Sequence, residues 1–178
     1  IKKYFSDLNC DKNWKITFVD TGLETMTGGR LKRIQQYVEN ETFCFTYGDT
    51  VNNVNISDLI EFHKNKNSLA TVTACIPPEK YGVLSIREDM VENFKEKPKD
   101  EKNWINGGFF VLEPGIFNYL KNDNTVWEEE PLRTLASDGK LSAFKHSDFY
   151  QPMDILKDKI TLNNLWNSNN AKWKVWSD

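Results

Sequence analysis

Helical and strand-like segments alternate through the first half of the sequence, and this alternation constrains the fold more than any other feature. In residues 31–38 apolar side chains recur at helical spacing, and the apolar run FCFTY (43–47) follows directly. The order repeats, because ISDLIEFHK (56–64) has helical spacing and the β-branched run LATVTACI (69–76) comes after it. Strands joined through helices form parallel sheets with right-handed crossovers, so the pattern predicts an α/β fold.

Further strands are predicted on either side of these units. WKITFVD (14–20) alternates like a strand, and TGLETMTGG (21–29) behind it has the composition of a loop. YGVLSI and VENFKEKP flank the polar turn REDM and predict an antiparallel pair. WINGGFFVLEP and LSAFKH complete the strands. We therefore predict a Rossmann-like mixed, mainly parallel sheet flanked by helices, with a small antiparallel excursion, in a single domain over residues 1–178.

Three segments carry more specific expectations. FCFTY, a short apolar run that stops at Gly48-Asp49, is typical of a central strand buried on both faces. A helix is predicted over residues 128–137, with Thr125 as a cap candidate and Gly139 at its end. The last helix follows YQPMD, and its inward-facing side chains are expected to be Ile155, Leu156, Ile160 and Trp166.

Charge and composition exclude several classes of partner. The net charge of -3, from 23 Lys and Arg against 26 Asp and Glu, gives no general attraction to nucleic acid or to an anionic membrane. The longest apolar runs are far shorter than the roughly 20 residues of a membrane span. Cys10, Cys44 and Cys75 lie more than 30 positions apart, which argues against a disulfide framework or a zinc site and favours a reducing compartment. We expect a cytoplasmic protein without nucleic-acid or membrane partners.

Two aspartates are the first candidates for chemistry. Asp49 follows the strand FCFTY, and ligands of open α/β sheets bind beyond the carboxyl ends of the strands. An Asp that closes a turn is the alternative. Asp154 opens the last helix, where Asp is also a favoured N-cap. Together the two acids indicate Mg²⁺ held beside substrate phosphates, because this ion needs few protein oxygens.

Three other motifs could contact a ligand. In FKEKPK (94–99) lysines occupy alternate positions. They could bind a phosphate, or they could protect a solvent-exposed edge strand from pairing with another strand. NGG (106–108) could let a ligand approach the backbone or form a β-bulge. TMTGGRLKR (25–33) could form a phosphate nest at a helix start or a tight loop into the helix. His63 and His146 are expected to be structural, and Walker A, GxGxxG and HExxH motifs are absent.

The order of these motifs identifies a family resemblance. From about Trp14 to the end, VDTGLETMTGGRLKR, FTYGD, YGVLSI, EKPK, INGGFFVLEP and YQPMD resemble the glucose-1-phosphate cytidylyltransferase branch of the sugar-nucleotide pyrophosphorylases. TMTGGRLKR and INGGFFVLEP look specific to this branch, whereas the acid after a strand and EKP are shared across the wider family. The resemblance implies a fold of the nucleotide-diphospho-sugar transferase type.

The resemblance also implies a reaction and a set of site residues. Glucose 1-phosphate would attack the α-phosphorus of CTP without a protein nucleophile, giving CDP-glucose and pyrophosphate with Mg²⁺ as cofactor. Family members are oligomers, so a homo-oligomer is expected. The matched positions are Asp49 and Asp154 for Mg²⁺, Lys97 for the sugar phosphate, Glu96 for glucose hydroxyls, Gly82, Asn106 and Gly107 beside the sugar, and Thr25, Arg30 and Asp49 for the nucleotide.

The chain departs from the family pattern at one place. The family opens with a GGxGTR loop and a lysine that cradle the triphosphate, and neither is found here. We therefore expect a domain incomplete at its N-terminus that is inactive alone. The alternatives are a pyrophosphorylase for another nucleotide or sugar, and a non-catalytic subunit that binds a sugar nucleotide.

Overall fold

A computed structural model describes residues 14–77, 83–95 and 104–176 of the chain, together with Lys3 and Phe5. The helices of these residues are α1 (Thr27–Arg33), α2 (Gln35–Val38), α3 (Ile56–Lys64), a 3₁₀ helix (Pro114–Tyr119), α4 (Glu130–Ser137) and α5 (Leu156–Asn167). The strands are β1 (Phe43–Thr46), β2 (Thr50–Asn52), β3 (Ala70–Cys75), β4 (Val83–Arg87), β5 (Met90–Lys95), β6 (Ile105–Leu112), β7 (Leu141–His146) and β8 (Tyr150–Pro152). None of the helices in the described ranges has the length and apolar character that a bilayer crossing requires.

The central sheet has the strand order β1-β6-β3-β7. β3 and β7 pair in parallel, whereas β6 pairs antiparallel with both β1 and β3. Strands β1, β3 and β7 therefore run in one direction, and β6 runs against them between β1 and β3. Two small antiparallel sheets, β2-β8 and β4-β5, accompany it. The predicted mixed α/β fold with an antiparallel excursion is confirmed.

The reversed direction of β6 decides where its first residues lie. Asn106 near its start pairs with Ala74 near the end of β3, and His146 at the end of β7 pairs with Cys75. The start of β6 therefore lies at the carboxyl edge of the other three strands, which is the edge where open α/β sheets bind ligands. The segments after β1 and β7 leave the sheet at the same edge.

The core lies on β3, β6 and the helices that cover them. Burial is complete for Ala70, Val111 and Leu112, and Trp127 packs edge-to-face against Phe110 at a ring-centroid distance of 5.8 Å. β1 differs from its prediction, because Phe43 and Phe45 are half-buried and the residues between and after them are exposed. In the described part of the sheet β1 has one neighbour, β6, so it is not a central strand there, and its face with Cys44 and Thr46 is exposed.

The segment before α1 also differs from its prediction. Residues 14–20 are not assigned as a strand, and Trp14, Ile16 and Phe18 keep 39 to 67% of their surface exposed. Their alternation gives strand propensity, but a strand needs a paired neighbour, and the described residues supply none for this segment. The helix begins at Thr27 rather than after Gly29, and it is interrupted at Ile34 between α1 and α2.

Two predictions for the later helices are wrong in detail. Thr125 does not cap α4, because its hydroxyl accepts the amides of Lys121 and Asn122 in the preceding turn. Gly139 does end α4, with φ at +66°. The buried residues of α5 are Asp158 and Leu162. Four side chains were expected to face inward but are exposed, namely Ile155, Leu156, Ile160 and Trp166.

Helix α1 is held by backbone hydrogen bonds to the segment before α4. Met26 donates its amide to the Asp123 carbonyl at 2.8 Å, and Gly29 donates to the Thr125 carbonyl at 3.1 Å. The Arg33 guanidinium donates two hydrogen bonds to the Asp123 carboxylate, at 2.9 and 2.6 Å. These contacts need the two backbones to lie very close together.

Gly28 and Gly29 permit this close approach. A Cβ on Gly28 would lie 2.9 Å from the Thr125 carbonyl oxygen, and one on Gly29 would lie 2.5 Å from the Asp123 carbonyl oxygen. The glycine pair therefore belongs to a helix-packing contact, which corrects both the loop and the phosphate-nest interpretations of TMTGGRLKR. The amides of Met26 and Gly29 face protein carbonyls rather than an anion.

His63 is a structural histidine, as predicted. It is 1% exposed, with Nε2 3.0 Å from the Glu113 carboxylate and Nδ1 2.7 Å from the Thr71 hydroxyl. A carboxylate only accepts, so a neutral ring donates from Nε2 to Glu113 and accepts at Nδ1 from Thr71. Thr42 donates to the same Glu113 oxygen at 2.7 Å. The network connects α3 to β3, to the end of β6 and to the start of β1.

Thr71 and Thr73 allow a matched test of this network. Both are fully buried on β3, but the Thr73 hydroxyl finds no hydrogen-bond partner among the described residues. Thr71→Val should lower the free energy of unfolding by about 1 to 3 kcal/mol, because it leaves a ring nitrogen of His63 unpaired. Thr73→Val should lower it by less than about 0.5 kcal/mol or raise it. Urea unfolding measures both, and an equal loss would contradict this account.

A second prediction concerns the glycine contact. Gly29→Ala should lower the free energy of unfolding by about 1 to 3 kcal/mol, because the new methyl group meets backbone atoms of Asp123. The better helix propensity of Ala, worth about 1 kcal/mol, does not offset this clash. Gly48→Ala is the control, since a Cβ there meets no described atom within 4 Å. Equal thermal stability of the two variants would show that the contact is not tight.

Candidate active site

Asp49 and Asp154 come together through the pairing of β2 with β8. Thr50 pairs with Pro152, and the amide of Met153 donates to the Asp49 carbonyl at 2.7 Å. The two predicted metal ligands are therefore anchored at the same end of one short antiparallel ladder. Both side chains are exposed, and neither accepts a hydrogen bond or forms an ion pair within the described ranges. They are open to a ligand at the carboxyl edge of the central sheet.

Asp158, not Asp154, stabilises the start of α5. The helix begins at Leu156, and the Asp158 carboxylate accepts the amides of Asp154 and Ile155 at 3.3 and 3.4 Å. Capping was the alternative interpretation of Asp154, and the buried carboxylate of Asp158 takes that role. The Asp154 side chain therefore does not cap the helix and is available to a ligand.

Tyr150 lies on β8, the strand that leads to Asp154. It is 9% exposed and pairs with Asn52 in the β2-β8 ladder. Burial, and after it the charges of Cys75, Asp154 and Asp49, raise the pKa of Tyr150 to about 12. The pairing of β2 with β8 thus brings the backbones of Asp49 and Asp154 to the same end of the ladder as Tyr150.

Asn106 and Gly107 lie at the start of β6, in a β-bulge. The register with β3 shifts between Val72 and Ala74, which agrees with the β-bulge that the sequence left open as the alternative interpretation of NGG. A Cβ on Gly107 would lie 2.4 Å from the Cys75 sulfur, so glycine is needed here for packing. The exposed Asn106 side chain accepts the Gly108 amide at 2.8 Å, and Gly108 has φ at +75°. The bulge thus presents an amide side chain at the carboxyl edge.

Arg30 holds the loop before α1 in shape. Its guanidinium donates to the Thr21 hydroxyl at 2.7 Å and to the Leu23 carbonyl at 3.0 Å. Gly22, at φ +83°, lets the chain turn, and its amide donates to Asp20 at 2.9 Å. A cavity of about 240 Å³ opens beside Arg30, between α1 and β1. Thr25, the other predicted nucleotide contact, is only 7% exposed.

Three predicted site residues lie outside the described part of the chain. They are Gly82, Glu96 and Lys97, and Lys99 of the same lysine-rich motif lies there as well. The hairpin that leads to them is confirmed, because β4 and β5 pair antiparallel around Glu88 and Asp89, both at positive φ. Their roles stay predictions.

The structure brings Tyr47 and Glu128 together beside the predicted site residue Asn106, a contact that the sequence motifs did not indicate. The Tyr47 hydroxyl hydrogen-bonds the Glu128 carboxylate, although the two residues are 81 positions apart. Thr27 at the start of α1 donates to the other oxygen of the same carboxylate at 2.7 Å. Tyr47 stands two residues before Asp49 in FTYGD, which is the one local signal that could have found it.

The sequence is similar to known proteins along most of its length. The family described as nucleotidyl transferase matches residues 6–178. The glucose-1-phosphate cytidylyltransferase of Salmonella typhimurium is 52% identical over 164 residues, which cover 92% of this chain and 64% of that protein. The enzyme of the same name from Salmonella typhi is 51% identical over the same coverage. The chain therefore spans somewhat less than two thirds of the length of these curated relatives.

Solved structures show the same fold. HddC from Yersinia pseudotuberculosis aligns with a TM-score of 0.68 at 23% identity, over 93% of this chain and 72% of that one. A UDP-glucose pyrophosphorylase crystallised with UDP-glucose aligns with a TM-score of 0.63 at 18% identity, over 86% of this chain and 66% of that one. These likenesses concern the architecture of the sheet and its flanking helices.

Proposed function

The chain belongs to the nucleotidyl transferase family, and on that premise we propose that it transfers a cytidylyl group from CTP to glucose 1-phosphate. The products are CDP-glucose and pyrophosphate. The observation that carries the proposal is the placement of Asp49 and Asp154 together at the carboxyl edge of the sheet. The choice of CTP and glucose 1-phosphate is supported by the names of the relatives that are 51 and 52% identical.

The reaction is a direct displacement at phosphorus. A phosphate oxygen of glucose 1-phosphate forms a bond to the α-phosphorus of CTP, and the bond to the pyrophosphate leaving group breaks. The protein contributes by aligning the two anionic substrates and by offsetting their charge, so a protein nucleophile is not needed. We assign Asp49, Asp154 and Lys97 as the catalytic residues.

Asp49 and Asp154 fit a divalent ion, which nucleotidyl transferases generally use. The described residues contain no group of three or more His, Cys, Asp or Glu side chains placed to hold a metal. Two open carboxylates leave the remaining coordination positions to water and substrate phosphates, which is the usual arrangement for Mg²⁺. When bound, Mg²⁺ would offset negative charge on the phosphates during transfer. We therefore propose Mg²⁺ as the cofactor.

The acceptor sugar is assigned to the start of β6 and to the segment after β5. We propose that Lys97 binds the sugar phosphate, that Glu96 binds glucose hydroxyls, and that Gly82 borders the sugar. Asn106 supports this assignment, because its exposed amide lies at the carboxyl edge where the two aspartates are anchored. Gly107 keeps the backbone close to β3 at this point.

The nucleotide is assigned to the loop before α1. Arg30 supports this assignment, because it lines a cavity and its two hydrogen bonds to the loop hold its positive charge in place there. Thr25 is largely buried, so its proposed contact is confined to the small part of its surface that faces solvent. Asp49 would reach the nucleotide through the shared metal ion.

We also propose a cytoplasmic homo-oligomer. The exposed side chains of Leu156 and Ile160, one turn apart on α5, support an interface with another subunit. Light scattering of the purified protein would test this, and a monomer at micromolar concentration would refute it.

Nucleotide choice tests the proposed function directly. The protein expressed from its complete reading frame should release pyrophosphate from CTP with glucose 1-phosphate and Mg²⁺, with kcat/KM at least about ten-fold above that for UTP, GTP or dTTP. A preference for another nucleotide would identify a different pyrophosphorylase. Binding of CDP-glucose without turnover would identify a non-catalytic subunit.

The carboxylate pair is tested by a charge-removing substitution. Asp49→Asn should lower kcat by at least about 100-fold, because it keeps the shape of the side chain but removes charge from the metal site. Asp138→Asn is the matched control, since Asp138 is exposed and precedes β7 at the opposite edge of the sheet. Initial rates over a Mg²⁺ titration measure both variants. Unchanged activity of Asp49→Asn would refute the metal role.

A further inference from the structure

A chain of hydrogen bonds crosses the site from α1 to β6. Thr27 donates to Glu128 at 2.7 Å, Tyr47 hydrogen-bonds the other oxygen of Glu128, and the Asn106 amide nitrogen lies 3.3 Å from the Tyr47 hydroxyl. Thr27 also accepts the Trp127 amide at 2.9 Å, which holds its hydroxyl in place. The chain therefore joins the nucleotide side of the site to its sugar side.

Each bond in this chain has one possible direction. The Glu128 carboxylate can only accept, so Tyr47 must donate its single proton to it. The Tyr47 oxygen is then left as an acceptor, and Asn106 must present its NH₂ group. The Asn106 oxygen independently accepts the Gly108 amide at 2.8 Å. Two separate contacts thus impose the same orientation on the Asn106 amide.

The Tyr47 ring is itself held rigidly. It packs against Phe45 and Phe110 at ring-centroid distances of 5.7 and 5.8 Å. Gly108 makes room for it, because a Cβ at that position would lie 3.0 Å from the ring carbon Cδ2. Burial, and then the hydrogen bond to Glu128, raise the pKa of Tyr47 well above its usual range.

We propose that Tyr47, fixed by Glu128, is a positioning residue that orients the Asn106 amide for a hydroxyl of the acceptor sugar. The proposal rests on the proposed function. After its two protein contacts, Asn106 keeps one N–H and one oxygen lone pair. A sugar hydroxyl can use either or both. Glu128, exposed at the surface, is then a residue that tunes sugar binding without contacting the sugar.

Tyr47→Phe tests the proposal because it removes the hydroxyl and keeps the ring. We expect KM for glucose 1-phosphate to rise about five-fold, as for the loss of one hydrogen bond, and KM for CTP, whose proposed cavity Tyr47 also lines, to rise by a smaller factor. The matched control is Tyr119→Phe, since Tyr119 donates to Asp138 at 3.0 Å at the opposite edge of the sheet. An unchanged KM for glucose 1-phosphate in Tyr47→Phe would overturn the proposal.

A double-mutant cycle separates positioning from a direct contact with the sugar. If Tyr47 acts through Asn106, the Tyr47→Phe change should raise KM no further once Asn106→Ala is present. Additive effects would overturn the proposal. Glu128→Gln provides a second route if Tyr47→Phe folds poorly, with an expected rise in KM of about two- to five-fold. Wild-type levels of KM in that variant would also overturn it.

The same measurements distinguish this proposal from the proposed function. If the wild-type protein does not turn over CTP with glucose 1-phosphate, the proposed function fails. If the wild type turns over and the variants of Tyr47 and Glu128 match it, the positioning role alone fails.

Discussion

The antiparallel insertion of β6 between β1 and β3 is the constraint on which the rest of the structure depends. Because β6 runs against its neighbours, its first residues reach the edge where β1, β3 and β7 end. Its last residues, Phe110 to Leu112, are almost completely buried and hold the core of the sheet. One strand thus anchors the fold at one end and presents the Asn106 amide at the other.

Two polar networks on opposite sides of the core fix the elements around this strand. Near the amino edge, His63 and Glu113 connect α3 and β3 to the end of β6. At the carboxyl edge, Tyr47 and Glu128 connect the end of β1 to the start of β6 and to α1. The buried groups of the His63 network are costly when left unpaired, so this network favours one arrangement of its elements. The network of Tyr47 and Glu128 is more exposed and links its elements through hydrogen bonds at the surface. Contacts between the elements of the fold thus set the positions of the site residues.

Local sequence patterns predicted the elements that are defined by the spacing of their own residues. The helix α3, the strands β3, β6 and β7, and the β4-β5 hairpin follow from spacing and turn residues. Elements whose state depends on a distant neighbour were predicted less well. The apolar pattern of β1 indicated burial on both faces, but the strand has one described neighbour. The alternation of residues 14–20 likewise did not become a described strand.

The site residues show the same difference between local patterns and contacts with distant residues. Asp49 and Asp154 could be singled out from turn and helix-start positions, but their convergence depends on β2 and β8, two three-residue strands without a readable pattern. The contact between Tyr47 and Glu128 spans 81 positions and has no local signature beyond FTYGD. Gly28 and Gly29 were interpreted as part of a phosphate nest or a tight loop, whereas they allow a close packing contact. Their partner in this contact, the backbone of residues 123–125, lies nearly 100 positions away.

Anomalous diffraction from crystals grown with Mn²⁺ and CDP-glucose tests the central claim most directly, because it places the metal and the sugar in one experiment. The account predicts a Mn²⁺ peak within coordination distance of both the Asp49 and the Asp154 carboxylates, with the glucose ring against the Asn106 side chain. A peak bound elsewhere, or glucose away from the start of β6, would contradict it.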